Sequence, residues 1–269
     1  MMDTPRGASV SEMLVNARRG AYALPAFPDA LPITLDEAYA VQSQIIRGWG
    51  AAVAGWKVGR ITGEAEVRFG RDRFIGPIFS GTIREVAADT VSPFPAIAGG
   101  TAALEAEVIA ILGQDIPPAR GDWTAKDMPA LLSDLHIGIE VAGCPIPDIG
   151  RLGPLASIAA SGNNLALLVG PAIPDWRDID IDAISCSVDI DDTRAGTGTA
   201  GDLPGGLLAA IAFALNQAAE LRIGLPAETL LSTGAIGGVH GVHIGQQCRV
   251  DFGSLGLLRC HVVEAAPSA

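Results

Sequence analysis

The feature that most constrains this chain is an apolar run at 103–112 that carries two glutamates, Glu105 and Glu107. The run is short, rich in β-branched residues and ended by Gly113, which predicts a β-strand. Alternate side chains of a strand share a face, so the two carboxylates lie side by side. Carboxylates among apolar neighbours need compensation, and Mg²⁺ accepts such oxygen ligands. A solvated strand face explains the pair equally well, so the pair alone leaves both interpretations open.

Two further stretches place a charged side chain in an apolar setting. Glu140 stands in a predicted strand at 137–143, with no lysine or arginine in the ten residues that follow it. A buried lone glutamate needs a partner, which a shared metal ion would supply. Lys57 lies between two glycines in another predicted strand, at 54–59. It is either a lysine that snorkels to solvent or a positive group held near an anionic ligand.

Periodicity, capping residues and turn residues predict the remaining elements. Helices are expected at 9–19, at 34–49 with Thr34 as its cap, from Asp122 or Thr124 to 135, at 155–161 and at 207–221. Further strands are expected at 74–81, 86–94, 165–169, 179–192, 230–234, 247–252 and 257–263. The predominance of strands over helices predicts an α+β fold with a mixed or rolled sheet.

The overall composition excludes several classes of protein. Hydrophobic residues make up 49% of the 269 residues and charged residues only 18%, as in a compact globular protein. A formal net charge of -12 argues against nonspecific nucleic-acid binding, which needs clustered lysine and arginine. The sequence shows neither a secretory signal nor a membrane-spanning run, so a cytoplasmic location without membrane contact is expected. The four scattered cysteines predict buried free thiols instead of a disulfide framework.

Two glycine-rich motifs are typical of functions that their surroundings do not support. Residues 196–201 match GxGxxG, but Pro204 and two further glycines separate them from the next helix and the chain lacks a βαβ pattern. A flexible turn is expected there, with a ligand-facing role left open. His240 and His243 lie in a glycine-rich loop without a nearby third zinc ligand, so a loop role is expected. A nucleophile elbow of the GxSxG type is missing, so serine hydrolase chemistry is poorly supported.

The order of motifs resembles the 2-keto-4-pentenoate hydratase and 4-oxalocrotonate decarboxylase family of the fumarylacetoacetate hydrolase superfamily. The likeness spans roughly 35–263 and rests on Gly-Trp-Lys-Val-Gly at 55–59, Gly-Pro-Ile-Phe at 76–79, Leu-Glu-Ala-Glu at 104–107, Ile-Glu-Val at 139–141, Gly-Thr-Gly at 196–198, Leu-Ser-Thr-Gly at 231–234 and Val-Asp-Phe-Gly at 250–253. It implies a mixed, rolled β-sheet core of the fumarylacetoacetate hydrolase C-terminal-domain type. The expected division is an N-terminal helical segment, 1–80, packed on a metal-binding β-rich domain, 81–269, in one compact unit.

The resemblance also implies a metal centre. Mg²⁺ or Mn²⁺ would bind Glu105, Glu107 and Glu140, and would chelate the carboxylate and 2-oxo oxygens of a small unsaturated keto acid. Lys57 would act beside the bound substrate as a catalytic residue, and Ser161 is the second expected catalytic residue.

Two positions depart from the family pattern. The family has an Asp-Asn pair where this chain has Ala160 and Ser161. Gly81 stands where the hydratases of the family carry an acid. The family's residues at these two positions are associated with proton transfer. Part of the acid–base apparatus is therefore changed in this chain, while the metal ligands are retained.

The function expected from the sequence is a hydratase that acts on a small 2-hydroxydienoate or 2-oxo acid such as 2-keto-4-pentenoate, with the small acid as partner and a homo-oligomeric assembly. A decarboxylase of the 4-oxalocrotonate type is one alternative. An acylpyruvate hydrolase is another, and would need His136 to activate water. From a different class, the altered positions are compatible with a non-catalytic keto-acid binder or a partner subunit of an active homologue.

Overall fold

The computed structural model describes residues 9–88 and 90–268, and its elements are mostly strands. Its helices are α1 (Val10–Arg19), α2 (Leu35–Trp49), α3 (Glu64–Phe69), α4 (Met128–Leu131), α5 (Pro154–Ala159) and α6 (Leu207–Glu220). Its strands are β1 (Val53–Arg60), β2 (Arg73–Phe79), β3 (Ile83–Glu85), β4 (Val91–Ala96), β5 (Thr101–Leu112), β6 (Leu132–Cys144), β7 (Asn164–Ala172), β8 (Ser185–Ile190), β9 (Thr193–Thr199), β10 (Leu230–Ser232), β11 (Val239–Gly241), β12 (Gln247–Asp251) and β13 (Leu257–Glu264).

The strands form two sheets. The first has the order β2-β1-β10-β5-β6-β7-β3, with β11 paired to β5. Parallel pairs, β1 with β10 and β3 with β7, occur among antiparallel ones, so this sheet is mixed. It curls, because β2 approaches β7 although four strands separate them along the path. The second sheet has the order β4-β13-β12-β8-β9. These observations confirm the predicted α+β fold with a mixed, rolled sheet.

The two long central strands, β5 and β6, are covered on both faces. A strand buried on both faces becomes a nearly continuous apolar run, which explains the sequence of 103–112. Leu104, Ala106 and Val108 on one face of β5 belong to the main hydrophobic core. Ile109 on the other face packs in a separate, small cluster with Ile78, Leu167 and Val169. The glutamates of β5 share the face of Ile109, so they point into the curl of the sheet.

The N-terminal helices pack against the outside of this sheet. Ser9 caps α1 through a capping box with Glu12, and Thr34 caps α2, as the sequence predicts. Helix α2 contacts α1 and α5, and the Trp49 ring at its end stacks on Phe79 of β2 with 4.6 Å between ring centroids. Strands β1 and β2 lie within 1–80 but belong to the first sheet, so the helical segment and the β-rich part share this sheet. The division at residue 80 remains a prediction.

The predicted helix that ends at 135 is wrong in its last turn, and two predicted strands begin later than expected. Helix α4 ends at Leu131, because β6 begins at Leu132 and pairs with β5 from there. The strand predicted from 179 begins only at Ser185, since a 3₁₀ turn at Ile181–Ala183 precedes it. Strand β4 begins at Val91, five residues later than predicted. At the end of α4, long-range pairing thus sets the boundary.

The glycine-rich motif at 196–201 is largely a strand, so the predicted flexible turn is wrong. Residues 196–199 belong to β9, which pairs with β8. A Cβ atom on Gly198 would lie 2.0 Å from the Ile236 carbonyl oxygen, and one on Gly196 would lie 2.4 Å from the Gly237 oxygen. The glycines therefore permit the segment at 236–237 to approach the strand closely.

Within the described residues, no helix has both the length and the apolar character that crossing a membrane requires.

The close approach of Ile236 to Gly198 predicts that one added methyl group strongly destabilises the protein. We expect Gly198→Ala to lower the free energy of unfolding by about 2 kcal/mol or more, because the added Cβ overlaps backbone that cannot rotate away. The matched control is Gly81→Ala, at an exposed turn where an added Cβ has no neighbour within 4 Å. Its effect should stay within about 0.5 kcal/mol. Urea denaturation of both variants measures the difference, and equal effects would contradict the packing described here.

Candidate metal centre

Three glutamates meet inside the curled sheet. Strand β5 supplies Glu105 and Glu107, and the adjacent β6 supplies Glu140 directly opposite Glu105. One carboxylate oxygen of each residue lies within 4.8 Å of the others. Glu107 and Glu140 are fully buried and Glu105 is 8% exposed. The solvated-face interpretation of the pair is therefore wrong, and the three acids that the sequence singled out form one cluster.

Lys57 reaches the same cluster from β1. Its Nζ lies 2.9 Å from Glu140 Oε2, and the side chain is buried, so this lysine does not snorkel to solvent. The turn at Ser161–Asn163 closes over it: a Cβ on Gly162 would lie 3.1 Å from Lys57 Cδ and 2.9 Å from the Gly76 Cα. Glycine at both 76 and 162 therefore permits the turn to press against the lysine.

Three hydrogen-bond donors fix two of the carboxylates. Glu107 Oε2 accepts hydrogen bonds from the Ser232 hydroxyl and, at 2.9 Å, from the Gly234 N–H. Glu140 Oε1 accepts one from Asn164 Nδ2 at 3.1 Å. The sequence pattern alone indicates no role for these donors. The available signal was a Ser-Thr-Gly run at the end of a short strand and an asparagine at the start of another.

Some oxygens of the cluster remain without a hydrogen bond. Among the described residues, Glu107 Oε1 is buried without a partner, and Glu140 Oε2 has only the Lys57 ammonium beside it, outside hydrogen-bond geometry. Three ionised carboxylates and one ammonium carry a formal net charge of −2. An all-oxygen donor set with that charge and with unused lone pairs fits a hard divalent cation.

The pKa values of the cluster residues reflect their burial and the charges of their neighbours. Burial raises the pKa of Glu105 to about 7, with Lys57 opposing this shift and Glu140 adding to it. Burial and the neighbouring carboxylates raise the pKa of Glu107 well above its usual range. For Lys57, burial disfavours the ammonium, but the attraction of Glu105, Glu140 and Glu107 outweighs it and raises the pKa. The carboxylates are thus short of positive charge and the lysine is held as a cation.

The other candidate residues lie around the cluster. Ser161 is buried in the turn over Lys57 and lines a small cavity with Arg18 and Cys144, while the neighbouring Gly162 faces the lysine. The catalytic role of Ser161 remains a prediction. Gly81 lies in an exposed 3₁₀ turn after β2.

Two histidines hydrogen-bond to backbone oxygens. His136 Nδ1 lies 2.9 Å from the Gly170 carbonyl oxygen, and His240 Nε2 lies 2.9 Å from that of Gly237. Each contact joins a ring nitrogen to a backbone oxygen, and not to the carboxylate cluster.

Known structures share this fold. No protein-family model and no curated protein matches the chain in sequence. The structure of 4-oxalocrotonate decarboxylase from Pseudomonas putida G7, complexed with magnesium and adipate, aligns with a TM-score of 0.77 at 19% identity over 94% of this chain and 96% of that one. Fumarylpyruvate hydrolase from Pseudomonas aeruginosa, in complex with Mn²⁺ and pyruvate, aligns with a TM-score of 0.58 at 17% identity over 78% and 89% of the two chains. The likeness confirms the predicted α+β fold with a mixed, rolled sheet, which this chain shares with these enzymes.

The raised pKa values predict that the metal-free protein loses stability as pH rises. A carboxyl group whose pKa is raised by folding binds its proton more tightly in the folded state. Its stabilising contribution is therefore present below the unfolded pKa and is lost as pH rises through the folded pKa. For Glu105 this window runs from 4.5 to about 7.

In EDTA, the Tm of the wild type should therefore fall across this window more steeply than that of Glu105→Gln, which has no titrating group there. Excess Mg²⁺ should remove the difference in slope, because a bound cation favours the ionised carboxylates. Scanning fluorimetry at half-unit pH steps measures both slopes. Parallel curves in EDTA would contradict the raised pKa.

Proposed function

We propose that this chain is a divalent-metal-dependent lyase that acts on a small unsaturated 2-oxo acid, in the cytoplasm and as a homo-oligomer. The observation that carries the proposal is the buried cluster of three carboxylates beside Lys57, with one oxygen of Glu107 left unpaired. An uncompensated acidic cluster costs stability, so its presence in a closed apolar interior favours a site that a cation completes. The magnesium and Mn²⁺ complexes of the structurally similar enzymes support the choice of Mg²⁺ or Mn²⁺.

The residues of the site would have different roles, in metal binding and in carboxylate orientation. Glu105, Glu107 and Glu140 would hold the cation, whose Lewis acidity polarises a 2-oxo group and stabilises developing negative charge. Ser232 and the Gly234 N–H keep the Glu107 carboxylate in one orientation.

Lys57 would place its ammonium beside the 2-oxo oxygen. There it would stabilise negative charge that develops on the substrate, in a closed interior where electrostatic stabilisation is strong. The raised pKa of Lys57 supports this cationic role.

Hydration is the first candidate reaction. In this reaction water adds to the conjugated carbon of a 2-hydroxydienoate such as 2-keto-4-pentenoate, and a general base is needed to activate that water. Lys57 and the carboxylates are the titratable groups in the cluster, and a base would have to come from among them.

Decarboxylation of a 4-oxalocrotonate-type acid is the second candidate, and two observations favour it. Two structures of 4-oxalocrotonate decarboxylase align with TM-scores of 0.76 and 0.77, against 0.58 for fumarylpyruvate hydrolase. Loss of CO₂ also needs an electron sink and a proton donor but no base for water. A bound cation would supply the electron sink, and the Lys57 ammonium would supply the proton.

Metal removal and a choice of substrates test the proposal. We expect the protein loaded with Mg²⁺ or Mn²⁺ to consume 2-hydroxypenta-2,4-dienoate or to release CO₂ from 4-oxalocrotonate, and EDTA to abolish the activity. Glu107→Gln should reduce activity by about 10²-fold or more, because it removes a charged ligand. If metal-loaded protein binds oxalate tightly but turns over neither acid, the non-catalytic binder is the better description.

Removal of the lysine charge tests the role of Lys57 separately from the metal. We expect Lys57→Met to lower kcat by about 10²-fold or more while Mg²⁺ binding, measured by calorimetry, is retained. The matched control is Lys126→Met at an exposed lysine, which should leave kcat unchanged. A Lys57→Met enzyme with wild-type kcat would show that the ammonium only balances the carboxylates.

A further inference from the structure

The second sheet contains a pair of cysteines that the metal centre does not use. Cys248 in β12 and Cys260 in β13 face each other across an antiparallel ladder. Both side chains point to the buried face of the sheet, where they are 4% and 0% exposed. Facing residues in such a ladder have Cα atoms about 4.5–5.5 Å apart, which lies within the range that a disulfide spans.

The outer face of the same strands carries a surface groove. It has a volume of about 840 Å³ and Cys248 is one of its lining residues, but the Cys248 thiol points to the buried face of the sheet. Three arginines and three aspartates line the same groove: Arg194, Arg249, Arg259, Asp189, Asp191 and Asp192. Hydrogen bonding to Cys260 lowers the pKa of Cys248, although burial and Asp191 oppose this shift. The partner thiol thus favours the reactive thiolate form at Cys248.

The other two cysteines provide a contrast within the same chain. Cys144 faces Thr101 across its ladder and Cys186 faces Gly198, so neither has a thiol opposite. Burial raises the pKa of each to about 11, which disfavours the thiolate. The facing arrangement is therefore particular to the pair in β12 and β13.

We propose that Cys248 and Cys260 form a peroxide-reactive dithiol that closes to a disulfide between β12 and β13. The Cys248 thiolate attacks hydrogen peroxide, so that an S–O bond forms, the O–O bond breaks and the leaving hydroxide takes up a proton as water. The Cys260 sulfur then attacks Cys248, so that the S–S bond forms, the S–O bond breaks and a second water leaves with the Cys260 proton. In sum, two thiols and one peroxide give one disulfide and two waters.

Thiol counting and peptide mapping on the full-length, metal-loaded protein test this site. After mild treatment with hydrogen peroxide, removal of the excess and denaturation in a thiol-reactive dye, we expect two of the four thiols to be lost. Non-reducing digestion should give one linked peptide that joins Cys248 to Cys260, and dithiothreitol should restore all four thiols. The disulfide should also raise the Tm by about 5 °C, since it restricts the unfolded chain.

Single substitutions separate this pair from its neighbours. In Cys260→Ser the resolving thiol is absent, so peroxide should leave a sulfenic acid at Cys248 that dimedone traps. Cys186→Ser is the matched control and should still form the linked peptide. Retention of four thiols in the wild type, or a disulfide between other cysteines, would overturn the proposal. The wild-type mapping decides this even if a serine variant does not fold, and it does not depend on the proposed catalytic function.

Discussion

The structure of the site depends on the antiparallel pairing of β5 with β6. That pairing sets Glu105 directly opposite Glu140 and places Glu107 one alternation further along the same face. All three carboxylates are thereby removed from water, although charged groups in an apolar interior are costly. The strands pair along almost their whole length and bury apolar side chains on the opposite face, which offsets that cost. The neighbouring strands then supply what the carboxylates lack: β1 brings Lys57 and β10 brings Ser232.

The donors around the cluster orient the carboxylates before a cation arrives. Glu107 uses one oxygen for Ser232 and Gly234 and leaves the other without a protein partner. Glu140 is held by Asn164 on one oxygen and faces Lys57 with the other. A site whose ligands are already fixed needs little reorganisation on binding, which benefits both affinity and the stabilisation of developing charge. Burial and the neighbouring carboxylates raise the pKa of Glu107, and the same burial leaves its second oxygen without a partner.

Short-range patterns in the sequence predicted part of this arrangement. The spacing of Glu105 and Glu107 fixed their common face, and the apolar neighbours of Glu140 marked it as a charge in need of a partner. The contact between Ser232 and Glu107 joins residues 125 positions apart, and it exists because β10 lies between β1 and β5. No local pattern encodes that strand order. The error at 196–199 has the same origin, since Gly198 is required by the distant Ile236 and not by a turn.

The position of His136 bears on the reaction. His136 and Glu140 lie on the same face of β6, four residues apart, which corresponds to roughly 13 Å along a strand. Gly138 lies between them. The Ile109 side chain fills the space above this glycine, as shown by the 2.1 Å that would separate a Cβ at Gly138 from Ile109 Cδ1. Ile109 belongs to the apolar cluster inside the sheet, so apolar packing lies between the imidazole and the carboxylates. A hydrolase mechanism that relies on His136 would have to move this packing. A lyase that uses Lys57 and the carboxylates needs no such change, and decarboxylation, which activates no water, demands least of these residues.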